Sequence, residues 1–266
     1  MAKKNKKTKE VEVEKDYGDS TNYNVYHMSI LEKVIYTLLA AGVLFGLGYV
    51  FYHNVIISSI FALLAMKYPK MKTKDIIRKR KRQLSMQFKD MLYSLSSAIS
   101  SGSSIELALA IVKDDMINQY GDGDVFIVKE LEAMVSKVSL NMNIEDIFSD
   151  FAERSGLEDV KTFADIFIVS KRTGGNLVQI IRQTTDIIAD KIEIETQMQT
   201  MISGKKMESK IVTIMPIALT VFMTVSTDGF MDPVFTTCSG RAMATVALAL
   251  ILVATLWSNA ITNIEV

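Results

Sequence analysis

Apolar and polar positions alternate along this chain on two length scales. On the long scale, charge-free blocks at 34–50, 55–66, 211–227 and 242–257 are set between highly charged segments. On the short scale, the region between 67 and 208 repeats apolar residues at the spacing of one helix face. Leu84, Phe88, Met91, Leu95 and Ala98 make one stripe, and Ile105, Leu109, Val112 and Met116 a second. Val128, Leu131, Val135 and Val138 make a third, and Ile144, Ile147, Phe148 and Phe151 a fourth. Val160, Phe163, Phe167 and Ser170 form a fifth, and Leu177, Ile180, Ile181, Thr184, Ile187 and Ile188 begin a long sixth. No continuous strand pattern competes. Amphipathic helices of this kind bury their apolar faces only against one another, which predicts an all-α antiparallel six-helix bundle over 67–208.

The residues between the stripes act as punctuation. Ser103 with Glu106 reads as a capping box after Gly102, and Asn143 with Asp146 resembles another. Gly156 stops the fourth stripe, and the run GDGD at 121–124 separates the second from the third. The segment SKRTGGNLVQ (170–179) poses a choice between a phosphate cradle and a helix corner. Phosphate loops need GxxxxGK[ST] or GxGxxG after a strand; TGGN has neither spacing and follows a helical stripe. Gly174 suits the left-handed residue that closes one helix, and Asn176 suits the N-cap of the next, with Gln179 placed to return a bond. Gly102, Gly156, Gly174, Gly175 and Asn176 are therefore expected to be corners of the bundle.

The charge-free blocks are membrane candidates. A span needs roughly 20 residues, so 34–66 is long for one and slightly short for two. Extension into HMSILEK upstream and KYPK downstream brings two helices close to full length, with Tyr52-His53-Asn54 as their turn. One span plus a surface-lying helix is the alternative. Lys67, Lys70, Lys72, Lys74 and the run Arg78, Lys79, Arg80, Lys81, Arg82 follow, opposed by Asp75 alone, and such an excess stays cytoplasmic. The lysine-rich start of the chain asks for the same side, hence an even number of crossings and a hairpin. A second pair, IVTIMPIALTVFMTVST and AMATVALALILVATLWSNAI, is entered past Lys205, Lys206 and Lys210, and its loop carries Asp228, Asp232 and only Arg241. The expected organisation is a polar, disordered cytoplasmic tail at 1–27, a transmembrane hairpin at 28–66 and the cytoplasmic bundle at 67–208. A second transmembrane pair follows at 209–260, with an outside loop at 228–241, and a cytoplasmic tail closes the chain at 261–266.

Composition narrows the chemistry. The 266 residues carry 30 basic and 30 acidic side chains, one Cys and two His, so neither an internal disulfide nor imidazole catalysis is on offer. No nucleophile–base set or metal-ligand spacing stands out, and no enzyme activity, cofactor or metal is expected. Asp114, Asp115, Asp122 and Asp124 lack the ordered series ending in Glu that a calcium loop needs. Transport is disfavoured because ionisable groups are missing from the apolar blocks. The basic run 78–82 suits topology, anionic lipid or an acidic partner; without an aromatic platform it does not suggest nucleic acid. Glu106, Glu130, Glu132, Glu145, Glu153 and Glu158 read mostly as surface charges near bundle turns.

Several separated motifs, in order, carry a resemblance: SLSSAISSGSSIELAL, IEDIFSDFAERSGLEDVKTFADIFIVSKRTGGNL, PVFTTCSGR and a terminal NIEV. Over about residues 30–266 the chain resembles the type II secretion system F domain, and more closely the TadB-like platform proteins of tight-adherence (Flp-type) pilus machines. The resemblance implies an integral plasma-membrane platform whose cytoplasmic bundle engages a hexameric secretion ATPase and couples it to pilin assembly. It also implies a homo-oligomer, or a hetero-oligomer with a sister platform protein, and contacts with pilin or prepilin and with membrane lipids. A sister platform protein, or an F-domain protein of a competence or secretion system, is the alternative, ahead of a small membrane transporter. Many relatives carry two bundles; one is present here, as in the shorter tight-adherence branch.

Overall fold

The computed structural model describes residues 21–26, 28–52, 54–121, 125–227 and 229–262. Most of the expected tail 1–27, His53, Asp122, Asp124, Asp228 and the end of the C-terminal tail lie outside the described residues. Those described are helical, with no strand among them. In chain order they form α1 (Ile30–Tyr52), α2 (Val55–Leu63), a 3₁₀ turn (Leu64–Lys67), α3 (Tyr68–Ser100) and α4 (Ile105–Tyr120). There follow α5 (Phe126–Ser139), α6 (Ile144–Ser155), α7 (Glu158–Thr173), α8 (Leu177–Ser226), α9 (Asp232–Thr236) and α10 (Cys238–Thr262). They divide into two compact units. One joins the described part of 1–25 to Arg80–Asp186; the other joins 26–79 to the described residues from Ile187 onward.

In the first unit the apolar stripes face inward, except that on α5 Val135 and Val138 are only half-buried and Ile127 and Met134 take the core positions. Leu84, Phe88, Met91 and Leu95 of α3 are fully buried, as are Leu109 and Val112 of α4 and Leu131 of α5. The aromatic centre comes from three helices: Phe88 meets Phe151 and Phe163 at 6.0 and 5.8 Å, and Phe148 meets Phe163 and Phe167 at 5.3 and 4.9 Å. Tilted and edge-on rings at these separations add to the burial itself. Polar residues complete the seams. Buried Gln87 accepts a hydrogen bond from the Ile127 backbone N–H at 3.2 Å, satisfying one of the orphan donors at the start of α5. Ser94 donates to Asp115 at 2.5 Å, and Tyr120 donates to Asp90, which ties α3 to α4.

Two caps differ from the sequence expectation. The N-cap of α4 is Ser104, one residue beyond Ser103; its Oγ accepts from the Leu107 N–H at 3.3 Å. Asn143 does occupy the N-cap of α6, but its amide donates to Asp146 at 3.4 Å and caps no backbone group.

In the second unit α1 has 23 residues, enough to cross a bilayer. Its companion α2 has nine, about 14 Å of helix against a hydrocarbon core of about 30 Å. The two full-length helices expected within 28–66 are thus one long helix and one short one. Asn54 starts α2 at the expected turn, accepting from the Ile56 N–H at 2.9 Å, and the 3₁₀ turn Leu64–Lys67 ends it before the charged α3. Among the described residues three helices are long and apolar enough to cross a membrane, at Ile30–Tyr49, within Leu177–Ser226 and at Ser239–Ser258. α1 and α2 meet at Gly48 and Ser58, where a Cβ on Gly48 would stand 2.9 Å from the Ser58 Cα. Only glycine allows that approach.

Candidate functional site

The most constrained polar group of the first unit is Arg154, in the last turn of α6, whose side chain is 1% exposed. It donates from Nη1 and Nη2 to the two carboxylate oxygens of Glu130 on α5, at 2.8 and 2.6 Å. Its Nε donates to Asp150, one turn back on α6, at 3.0 Å, and Nη1 also reaches the Thr21 carbonyl at 3.2 Å. Lys137 of α5 donates to the same Asp150 at 2.5 Å. A buried guanidinium costs several kcal/mol unless paired and hydrogen-bonded. Two cations against two carboxylates, in fork geometry, meet that condition.

The electrostatics follow. Burial alone would lower the Arg154 pKa, but the hydrogen bonds and charge of Glu130, with Asp150, raise it above the ordinary value. Burial likewise works to raise the Asp150 pKa, and is outweighed by Lys137 and Arg154, which hold it below the usual carboxylate range.

The same corner holds a strap, residues 21–24. The Tyr23 N–H donates to the Arg154 carbonyl at 3.1 Å, and the Asn24 amide reaches that carbonyl at 3.3 Å. Lys81 donates to Asn24 Oδ1 at 2.6 Å and to the Gly156 carbonyl at 3.1 Å. Gly156 is left-handed (φ 57°), and a Cβ there would stand 1.9 Å from Asn24 Oδ1. Both its conformation and the seated strap exclude a side chain. The Tyr23 ring packs edge-on against Phe126 at 5.6 Å. Its hydroxyl is buried without a hydrogen bond, and burial, then the negative charge of Glu130, push its pKa far above the ordinary tyrosine value.

This corner gathers Lys81 and Gly156 with residues that the sequence had placed elsewhere. Residues 21–25 had been assigned to the polar tail, and Glu130 to the surface; Tyr23 and Glu130 are both 2% exposed. Arg154 carried a visible signal. It continues the apolar stripe Ile147, Phe151 at helical spacing, so a charge falls on a core-facing position. Glu130 does the same on α5, between Ile127 and Met134. Nothing comparable marks Tyr23.

The remaining candidates lie apart from this corner. Gly102 is left-handed (φ 93°) just past α3. Gly174 (φ 69°) closes α7, the Gly175 N–H bonds the Ser170 carbonyl at 2.9 Å, and Asn176 Oδ1 accepts from the Gln179 N–H at 3.2 Å. TGGN is thus a helix corner in geometry. Of the basic run, Arg78, Lys79 and Arg82 are exposed, while Arg80 and Lys81 are half-buried and burial lowers the Lys81 pKa. Among the described residues no group of three His, Cys, Asp or Glu is placed to hold a metal ion. What the arrangement does is mechanical: it fixes a chain segment and two helices to one guanidinium.

The sequence profile of type II secretion system (T2SS) protein F matches residues 91–225. The match starts inside α3, takes in α4 to α7 with Glu130, Arg154, Gly156 and Gly174, and runs down α8 to its last turn. No curated protein and no solved structure matches the chain. With half of its length inside that profile, and with apolar helices of membrane-spanning length, the chain belongs to the type II secretion system protein F family, a family of membrane platform proteins.

Proposed function

We propose that this protein is a non-enzymatic platform of the bacterial plasma membrane in a type IV-like, tight-adherence pilus or type II secretion machine. In this reading the first unit is the cytoplasmic F domain, which engages a hexameric secretion ATPase and couples it to pilin assembly, with a sister platform protein or a second copy as partner. One observation carries it: the family match covers the helical unit from Met91 onward and continues along α8, without a helix break, into the apolar stretch 211–225. The resemblance of the motifs around Gly102 and Gly174 supports the TadB-like branch.

A cytoplasmic helical unit is supported by the lysines and arginines at 67–82 and at 205–210. The short α2 asks how the chain returns to that side. We assign the return to α2, the 3₁₀ turn Leu64–Lys67 and the first turn of α3 together, which follow one another without a non-helical residue. Lys67 and Lys70 would then reach to the interface by snorkelling.

The test is reconstitution of the full chain in lipid nanodiscs with the secretion ATPase of the same machine. A platform role predicts co-purification and a several-fold rise in ATP hydrolysis. An ATPase that neither binds nor changes rate rejects the coupling role. A membrane-impermeant thiol label, applied outside intact cells, that reaches cysteines introduced between 83 and 186 rejects the placement.

A further inference from the structure

A cavity of about 610 Å³ opens in the second unit between α8 and α10, within the usual size range of ligand sites. Its walls change character along α8. Lys205, Glu208 and Ser209 line its middle, between the apolar Met201 and Ile202 on one side and Val212 of α8 with Ala254 of α10 on the other. Ser209 and Ser258 bridge the two helices through their hydroxyls at 2.5 Å. Ser209 and Val212 bracket the point where α8 passes from its charged part into the charge-free stretch 211–227, which a bilayer would place at its surface.

Charge along this polar stretch is one-sided. Lys205 is held by Glu208 at 2.9 Å. Lys206 and Lys210 are exposed, and neither has an ion pair or hydrogen bond among the described residues. Neither lines the groove, but each follows a lining position of α8, Lys205 or Ser209, so two uncompensated ammonium groups stand beside a mainly apolar groove. A bilayer phospholipid with an anionic headgroup has the same profile, negative at one end and apolar along the rest. Basic pockets between membrane helices on the cytoplasmic side hold such headgroups.

We infer that the groove between α8 and α10 is a binding site for one anionic phospholipid, its phosphate facing Lys206 and Lys210 and an acyl chain lying between Val212 and Ala254. The inference needs α8 and α10 in a bilayer and does not depend on the pilus reading. A lipid bound there would fix α10 to the segment of α8 that joins the helical unit to its span.

Native mass spectrometry of the full chain, released from mild detergent with phosphatidylglycerol or phosphatidylcholine of identical acyl chains, tests the site. The expected result is one retained phosphatidylglycerol per chain and little phosphatidylcholine. The double change Lys206→Gln/Lys210→Gln should weaken phosphatidylglycerol binding about thirtyfold, the effect of two lysines near a headgroup. Ala254→Phe, which fills the apolar end, should weaken both lipids. A control, Lys67→Gln/Lys70→Gln, removes the same charge from the other basic flank and should leave binding unchanged. Equal retention of both lipids, equal loss in the control, or a lipid-free dimer that shields the groove would overturn the proposal.

Discussion

Arg154 and Glu130 face each other through two parallel hydrogen bonds, of 2.8 and 2.6 Å, with both side chains out of water. Such a pair adds little over a well-packed apolar pair, but removing one partner leaves a charge stranded, at a cost of about 3–5 kcal/mol. Glu130→Gln should therefore lower the thermal midpoint of the detergent-solubilised chain sharply. The double change Glu130→Met/Arg154→Met should recover most of the loss, because no unpaired charge remains. A double variant as unstable as the single would show that the Thr21 and Asp150 contacts of Arg154, and not its pairing with Glu130, carry the corner.

The two left-handed glycines at α6 and α7 separate backbone strain from steric exclusion. Nothing lies within 4 Å of a Cβ added at Gly174, so Gly174→Val should cost only the conformational penalty, about 1–2 kcal/mol. Gly156→Ala meets the same penalty and also drives into Asn24 Oδ1. It should therefore unseat the strap as well as destabilise the unit. Hydrogen exchange at the Tyr23 amide, protected by the Arg154 carbonyl, reads this directly: fast exchange is expected in Gly156→Ala and slow exchange in Gly174→Val. Equal exchange in both would mean that the strap does not depend on Gly156.

Acid should weaken this corner and the contact between the start of α6 and the end of α7, and the sign follows from the carboxylates. Lys137 and Arg154, working against burial, hold Asp150 below its ordinary 3.8, and a hydrogen bond from Lys171 holds Glu145 below 4.5. A carboxylate with a depressed folded pKa stabilises the fold above its unfolded value, and that contribution is lost as pH falls through the folded one. The thermal midpoint should thus be insensitive to these groups between pH 5 and 7 and drop below about pH 4. Asp150→Asn should be less stable at pH 6 and show a shallower acid slope. An unchanged slope would remove Asp150 from the account.

These tests also mark where sequence pattern stops being informative. The six stripes lie in α3 to α8 because burial of one helix face imposes its period on the chain. Gly174 and Asn176 were legible because a left-handed stop and a side-chain cap need particular residue types. The Arg154–Glu130 pair was half legible: each charge interrupts an apolar stripe, but the partner choice is set by packing across 24 residues of sequence. Tyr23 was not legible at all. A single aromatic in a polar segment reveals its groove only once α5 and α6 have met. The end of α2 at Leu63 is not legible, because the 3₁₀ turn Leu64–Lys67 interrupts an apolar run that carries no helix-stop residue.

Helix α8 runs 50 residues from the helical unit into an apolar stretch, with Gly204 and Pro216 inside it. Glycine in a helix interior costs about 1 kcal/mol relative to alanine, so Gly204 is the weakest backbone point between the charged part and the span. If α8 transmits movement of the helical unit to the membrane, its stiffness at that point matters and its exact sequence does not. Gly204→Ala, which stiffens the helix, should support pilus or secretion output at or above the wild-type level. A flexible Gly-Ser insertion beside Gly204 should abolish output while leaving membrane insertion and ATPase binding intact. Normal output from the insertion variant would reduce α8 to a passive tether, and motor force would then have to reach the membrane through another contact.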